Sequence, residues 1–229
     1  MQKTIYVINP NSNPVVTAGI ETAIARLRVA GGPAIECLTL AAGPLGIQSQ
    51  YDVESVVLPL LELTRKLQPT AAAIVLACFS DPGLHAVREA MAQPAPTPVP
   101  VLGICESAAL TALSMGGRFG VIAIMPTSIP RHLRNWGTMA ILDRLAGEES
   151  IGMSVAELAT GASTLERMIA AGQRLRDVKG ADVIIMGCAG MAQFRAPLEQ
   201  ALGIPVVEPS QAATAMALGR ALLNWHGGV

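Results

Sequence analysis

The residues best suited to chemistry are two cysteines. Cys78, within "IVLACFSDPG" (Ile74–Gly83), and Cys188, within "VIIMGCAGMA" (Val183–Ala192), each close an apolar run and precede small or turn-forming residues. A single cysteine at a strand end is ordinarily a small buried hydrophobe. Two at matching places of a repeated unit point instead to paired acid–base chemistry, one thiol on each side of a substrate carbon. A thiol between a strand and a helix N-terminus meets a partial positive charge and open N–H groups, which are expected to lower its pKa from ~8.5. Ala189 and Gly190 leave room for backbone N–H groups to approach a developing oxyanion.

Other polar candidates read as structural. Asp81, followed by Pro82, has the form of a helix N-cap, and Glu106 that of a first-turn residue. Glu208 precedes the last helical stretch. His85 and His132 are expected on helix surfaces, and His226 lies in the tail. Cys37 falls inside a strand and Cys105 just before a helix, both read as packing. The four cysteines show no C-x-x-C pair and no histidine at metal-ligand spacing, so no metal is expected. Neither "GGP" at Gly31–Pro33 nor the pair Gly116–Gly117 has phosphate-loop spacing.

Elements able to hold two such cysteines alternate along the chain. Strands are predicted at Thr4–Ile8, Ala34–Leu40, Ala71–Ala77, Val99–Gly103, Phe119–Ile124, Asp182–Met186 and Ile204–Val207. Their continuous apolar character suits parallel strands covered on both faces. Helices are predicted at Val15–Val29, Val53–Gln68, Leu84–Met91, Ser107–Met115, Arg131–Leu145, Leu165–Val178, Met191–Leu202 and Gln211–Trp225, with Pro59 kinking or splitting the second. Ala146–Ser163, rich in Gly, Ser and Glu, reads as a loop with room for one short strand. The pattern implies an α/β fold with right-handed crossovers, and in such sheets ligands bind outside the carboxyl ends of the strands, where both cysteines fall.

The chain also repeats. "TIYVINPNSNP" (Thr4–Pro14) aligns with "GVIAIMPTSIP" (Gly120–Pro130), matching Pro10 with Pro126, Ser12 with Ser128 and Pro14 with Pro130. The expected architecture is two similar parallel-sheet α/β domains related by pseudo-two-fold symmetry, with the site in the cleft between them. The first would comprise residues 1–98 plus 208–229, the second 99–207.

Composition agrees with this frame. The 229 residues are 51% hydrophobic, 14% charged and only 3% aromatic, so the core must be aliphatic. A net charge of −1 with no basic patch argues against nucleic acid. The N-terminus has no apolar stretch of signal-peptide length, and no run reaches the ~20 residues of a membrane span. Widely spaced cysteines in a chain with so large a core imply reduced thiols and a cytoplasmic protein.

"INPNS" (Ile8–Ser12), "ACFSDPGL" (Ala77–Leu84), "GICESAA" (Gly103–Ala109), "GCAGM" (Gly187–Met191) and "IPVVE" (Ile204–Glu208) resemble signature segments of hydantoin and allantoin racemases of the aspartate/glutamate racemase superfamily. The resemblance implies homo-oligomers and a cofactor-independent isomerase acting on a small molecule. It would invert a carbon-acid stereocentre, foremost C5 of a 5-substituted hydantoin or allantoin. It also implies that Cys78 and Cys188 are the catalytic pair. Asn9 and Asn11, Phe79 and Ser80, Thr127, and Ala189 and Gly190 are the implied substrate-binding positions. One departure stands out: family members resembled here carry two threonines where this chain has Ala123 and Ile124. Three further readings stay open: arylmalonate-type decarboxylation, maleate-type isomerisation, and a non-catalytic module binding a small acid.

Overall fold

The computed structural model describes residues 3–92, 98–160 and 163–225; His226 lies outside them. The first lobe runs β1 (Thr4–Asn9), α1 (Pro14–Ala23), β2 (Ala34–Thr39), α2 (Gln50–Ser55), α3 (Val57–Leu67), β3 (Ala71–Leu76), α4 (Leu84–Ala92) and β4 (Val101–Gly103). After α5 (Ile104–Leu113), the second runs β5 (Phe119–Ala123), α6 (Ile129–Thr138), β6 (Leu145–Ser150), α7 (Val155–Thr160), α8 (Thr164–Gln173), β7 (Val183–Met186), α9 (Arg195–Leu202) and β8 (Val206–Val207). Helix α10 (Pro209–Leu222) closes the described chain.

Each lobe holds a four-stranded parallel sheet, ordered β2-β1-β3-β4 in the first and β6-β5-β7-β8 in the second. The equivalence extends to single hydrogen bonds. Ala77 N–H donates to the Ile8 carbonyl at 2.8 Å, and Gly187 N–H to the Ile122 carbonyl at 2.8 Å. Leu40 N–H donates to the Asn9 carbonyl, and Ile151 N–H to that of Ala123. Asn9 and Ala123 are therefore counterparts, a correction of two residues to the sequence alignment, which sets Asn9 against Met125. The segments leading to Cys78 and Cys188 are counterparts as aligned.

Both faces of the inner strands β1, β3, β5 and β7 are covered, which is why these read as apolar runs. The edge strands β2 and β6 stay partly exposed and carry Glu36, Glu148 and Glu149. One apolar cluster joins Ile5, Val7 and Val75 of the first sheet to Ile122, Ile184 and Met186 of the second, through Ala213 and Ala217 of α10. Val56, Leu60, Val87 and Met91 cover the opposite face of the first sheet, and Ala108, Ala112 and Trp136 that of the second. Helix α10 packs on β1, β3 and β4 as well as on α5.

Local chemistry sets the helix starts. Asn13 caps α1 by accepting from Val15 N–H at 3.0 Å, with Pro14 at the first helical position. Ser49 and Asp52 form a reciprocal capping box at α2. Pro59 does split its helical stretch: α2 ends at Ser55, and the proline occupies the first turn of α3, where its missing N–H costs nothing.

Three expectations require correction. Residues 146–163 are more than a loop with one short strand: β6 pairs with β5, as that reading allowed, but helix α7 follows at Val155–Thr160. Helix α6 stops at Thr138, where Ala140 adopts a left-handed φ of 56° and Ile141 N–H folds back to the Trp136 carbonyl. Strand β4 does not open the second half at residue 99: it pairs with β3, which puts residues 101–103 in the first sheet.

Candidate active site

The carboxyl ends of β3 and β7 face one another across the cleft. Cys78 and Cys188 line one cavity of about 30 Å³, with Asn11, Phe79, Ser80, Ile124, Ser128, Arg131, His132, Ala189 and Gly190 in its wall. The two cysteine turns are built alike. Cys188 Sγ accepts from Gly190 N–H at 3.4 Å, and Cys78 accepts from the backbone of Ser80. Asp81 N–H reaches the Cys78 carbonyl as Met191 N–H reaches that of Cys188. Each sulfur thus takes a hydrogen bond from the N–H two residues on. Among the described residues, no hydrogen bond is found for the N–H groups of Phe79 and Ala189, one residue on.

The thiols differ from the sequence-based expectation. Both residues keep partial exposure, yet the surrounding protein removes most of their hydration. Burial pushes the Cys78 thiol up to about 12 and the Cys188 thiol up to about 11. The N–H groups of Ser80 and Gly190 oppose this and are outweighed. No helix begins directly at Cys78 either, since residues 79–83 form a turn and α4 starts only at Leu84. A thiol that ionises this reluctantly is a strong base once ionised, which suits proton abstraction from carbon.

A pH prediction follows with a definite sign. Alkylation proceeds through the thiolate, whose fraction below the pKa rises about tenfold per pH unit. Iodoacetamide labelling of Cys78 and Cys188 peptides, followed by mass spectrometry, is expected to be slow at pH 7 and to keep rising steeply through pH 9. A plateau near pH 8 would contradict the desolvated site.

Asn9 is wholly buried and serves the turn rather than the cavity. Its Nδ2 donates to Asn11 Oδ1 at 3.0 Å, to the Asn13 carbonyl and to Thr17 Oγ1, while its Oδ1 accepts from Asn11 N–H. Asn11 is the residue that reaches the cavity, and its Nδ2 has no acceptor among the described residues. Thr127 is exposed and outside the cavity; it contributes only a carbonyl, which accepts from Arg131 Nη1 at 2.9 Å. Its neighbour Ser128 is buried and lines the cavity. Asp81 caps a different helix from the one expected. Its carboxylate accepts from Cys105 and Glu106 N–H at 3.0 and 2.9 Å, at the start of α5, where Gly103 brings no capping side chain. Glu208 caps α10 in the same way, and Glu106 pairs with Arg88 at 2.8 Å. Cys105 is packed away from the cavity, with Asn135 Nδ2 at 3.6 Å.

Sequence reasoning missed the polar groups of α6. His132 is 2% exposed and lines the cavity, contrary to the surface position expected. Its Nδ1 donates to Glu148 Oε2 at 2.8 Å, and Trp136 Nε1 donates to Glu148 Oε1 at 2.7 Å. Phe79 of the first lobe stacks edge-on against His132 at 5.0 Å between centroids, linking the lobes over the site. The spacing of His132 and Trp136, four residues apart on one helix face, was the available signal. Arg131 is also buried, and Ile124 supplies an apolar wall.

Two lobes with the same strand order, closing over counterpart thiols, define a site of the racemase type. The comparisons agree: the chain belongs to the Asp/Glu/hydantoin racemase family, whose model matches residues 5–217. It is an isomerase of that family. It is 32% identical to a hydantoin racemase from Pseudomonas sp. (strain NS671) over 89% of this chain and 80% of the relative. It is 31% identical to one from Paenarthrobacter aurescens over 97% and 92%. Among solved structures it is similar to an allantoin racemase from Klebsiella pneumoniae, with a TM-score of 0.89, 26% identity and coverage of 99% and 90%. The fold is also shared with arylmalonate decarboxylase, at a TM-score of 0.65 and 22% identity over 95% and 92% of the two chains.

Proposed function

We propose that this isomerase inverts a carbon-acid stereocentre, foremost C5 of a 5-substituted hydantoin or allantoin, with Cys78 and Cys188 as a two-base pair. The observation that carries the reading is the placement of the two thiols at counterpart positions of the two lobes, in the wall of one cavity. One cysteine as thiolate takes the proton from one face of the carbon. The electron pair moves into the adjacent carbonyl, and the resulting enolate oxygen is held by the N–H groups of Phe79 and Ala189 and by the Asn11 amide. The opposite thiol gives its proton to the other face. The site is then left with the ionised and protonated cysteines exchanged, ready for the mirror reaction. Counterpart acid and base suit a racemase because the two enantiomers make equivalent demands.

A groove of about 880 Å³ between α1 and α10 shares Val155, Ala189 and Gly190 with the cavity wall. No described helix is long and apolar enough to cross a membrane. The reading includes a homo-oligomer working in the cytoplasm, where both thiols stay reduced.

The test is polarimetry on resolved 5-substituted hydantoins, allantoin and free amino acids. Decay of optical rotation with solvent deuterium entering C5 is expected for at least one hydantoin or allantoin. Stable rotation throughout the panel would remove this substrate class. Turnover of an aryl malonate or maleate, followed by proton NMR, would move the chain to a neighbouring reaction.

A further inference from the structure

Among the described residues, Arg131 is the one arginine or lysine in the cavity wall, and the reaction above does not use it. It is 8% exposed and lines the cavity beside Cys78, Ser80, Ser128 and His132. Its Nη1 donates to the Thr127 carbonyl at 2.9 Å and its Nη2 to Ser128 Oγ at 3.2 Å. Both partners are neutral. Its Nε is buried with no hydrogen-bond partner at all. Among the described residues no carboxylate lies within ion-pair distance of the guanidinium. Asp52 acts on it only through space, and the Asp52 Oδ2 is already taken by Gln48 N–H, Ser49 N–H and Ser49 Oγ. The other groups whose charge it feels are Cys78, an anion only when its thiol is ionised, and Arg134, which has the same sign.

While Cys78 is a thiol the guanidinium has no anion beside it and its Nε–H is an unmatched buried donor, a costly arrangement that a bound anion would complete. An arginine has five N–H donors in a fixed plane. Two are engaged here. The Nε–H is unpartnered, and in a guanidinium the Nε–H and a neighbouring Nη N–H have the side-on spacing of the two oxygens of a carboxylate. The apolar neighbours Ile47, Ala77 and Ile124 strengthen any such contact by excluding water. On the second lobe the strand end presents Ala123 and the apolar Ile124, so the polar side chains of that wall come from Ser128, Arg131 and His132, of which Arg131 alone carries a fixed charge.

We propose that Arg131 sets substrate specificity, and that the carbon acid taken by this site carries a carboxylate on its side chain. This rests on the racemase reading and narrows it from hydantoins in general to acidic ones.

The test compares 5-(carboxymethyl)hydantoin with its isosteric primary amide, on wild type and on R131Q and R131K. For wild type, kcat/KM for racemisation is expected to favour the acid by about 10²-fold, the order seen when a charged hydrogen-bonding site meets an analogue lacking its partner. R131Q should lose roughly that factor on the acid and little on the amide, with R131K between. A second arm titrates the racemic acid and the racemic amide calorimetrically; at racemic composition turnover produces no net reaction. Acid binding at least tenfold tighter than amide binding, lost in R131Q, is expected.

Equal racemisation of acid and amide by the wild type would overturn the proposal, and that comparison needs no variant to fold. Equal loss on both substrates in R131Q would overturn it too, because Arg131 would then serve the Cys78 thiolate. Arg131-dependent acid binding without racemisation would support the anion site and remove the racemase reading. Racemisation of neutral hydantoins, with no acid preference in binding or rate, would do the reverse.

Discussion

Replacing either Cys78 or Cys188 with serine is expected to lower racemisation by about 10²–10⁴-fold, the cost of removing a positioned acid–base group. Full inversion needs one sulfur to take a proton and the other to give one, so neither variant can complete the cycle. Serine retains the shape, and its oxygen can still accept the N–H of Ser80 or Gly190, so the turns should hold. It is a far weaker base, because its hydroxyl is barely ionised near neutral pH. The variants should differ in isotope exchange. The one retaining the base for one enantiomer should take up deuterium there with retention, leaving the other enantiomer inert, and the second variant should show the opposite preference. Chiral chromatography with mass detection reads both. Cys105→Ser is the control and should stay within about threefold of wild type, since Cys105 packs outside the cavity. A Cys78 or Cys188 variant racemising within tenfold of wild type would make that cysteine structural.

The second large effect is expected at Glu148, a residue outside the reacting set. Its side chain is 1% exposed and accepts the Trp136 and His132 hydrogen bonds together. Glu148→Ala leaves two buried donors without an acceptor and opens a void between α6 and β6. At about 1–3 kcal/mol for each unmatched buried group, a loss of roughly 3 kcal/mol is expected from urea unfolding. Glu148→Gln retains one carbonyl oxygen for Trp136 and should cost about half as much. Both should lower kcat/KM as well, because the His132 ring in the cavity wall loses its anchor. Unfolding of Glu148→Ala within 0.5 kcal/mol of wild type would mean that water replaces the carboxylate.

The reach of sequence reasoning can be judged from these residues. The strands carrying the cysteines were legible because both faces of these inner strands are covered, so Ala71–Leu76 and Val183–Met186 read as apolar without interruption. The pairing of Cys78 with Cys188 was legible through the repeat. Their high pKa was not, since helix termini can be inferred from residue types whereas loss of hydration depends on the whole surrounding shell. Arg131, His132 and Glu148 were hidden for a related reason. Charged residue types are normally exposed; His132 and Glu148 are buried by pairing across more than ten residues, and Arg131 by its place in the cavity wall opposite the first lobe. Strand β6 was legible only as room for one short strand, because its inward Glu148 finds its donors on α6. The β4 boundary depended on pairing, which a three-residue strand does not encode by itself.

The account turns on two bases acting from opposite faces, and the isotope content of early product tests that directly. Wild-type enzyme is given one resolved enantiomer of a substrate it racemises, in deuterium oxide, and quenched within the first few per cent of conversion. Chiral separation and mass spectrometry then weigh both enantiomers. A proton taken by one cysteine and a deuteron delivered by the other predicts product labelled at the stereocentre in nearly every molecule, with recovered substrate still unlabelled. Product that keeps the original hydrogen, or substrate labelled as fast as product forms, would mean that a single base serves both faces and would contradict the paired-cysteine site.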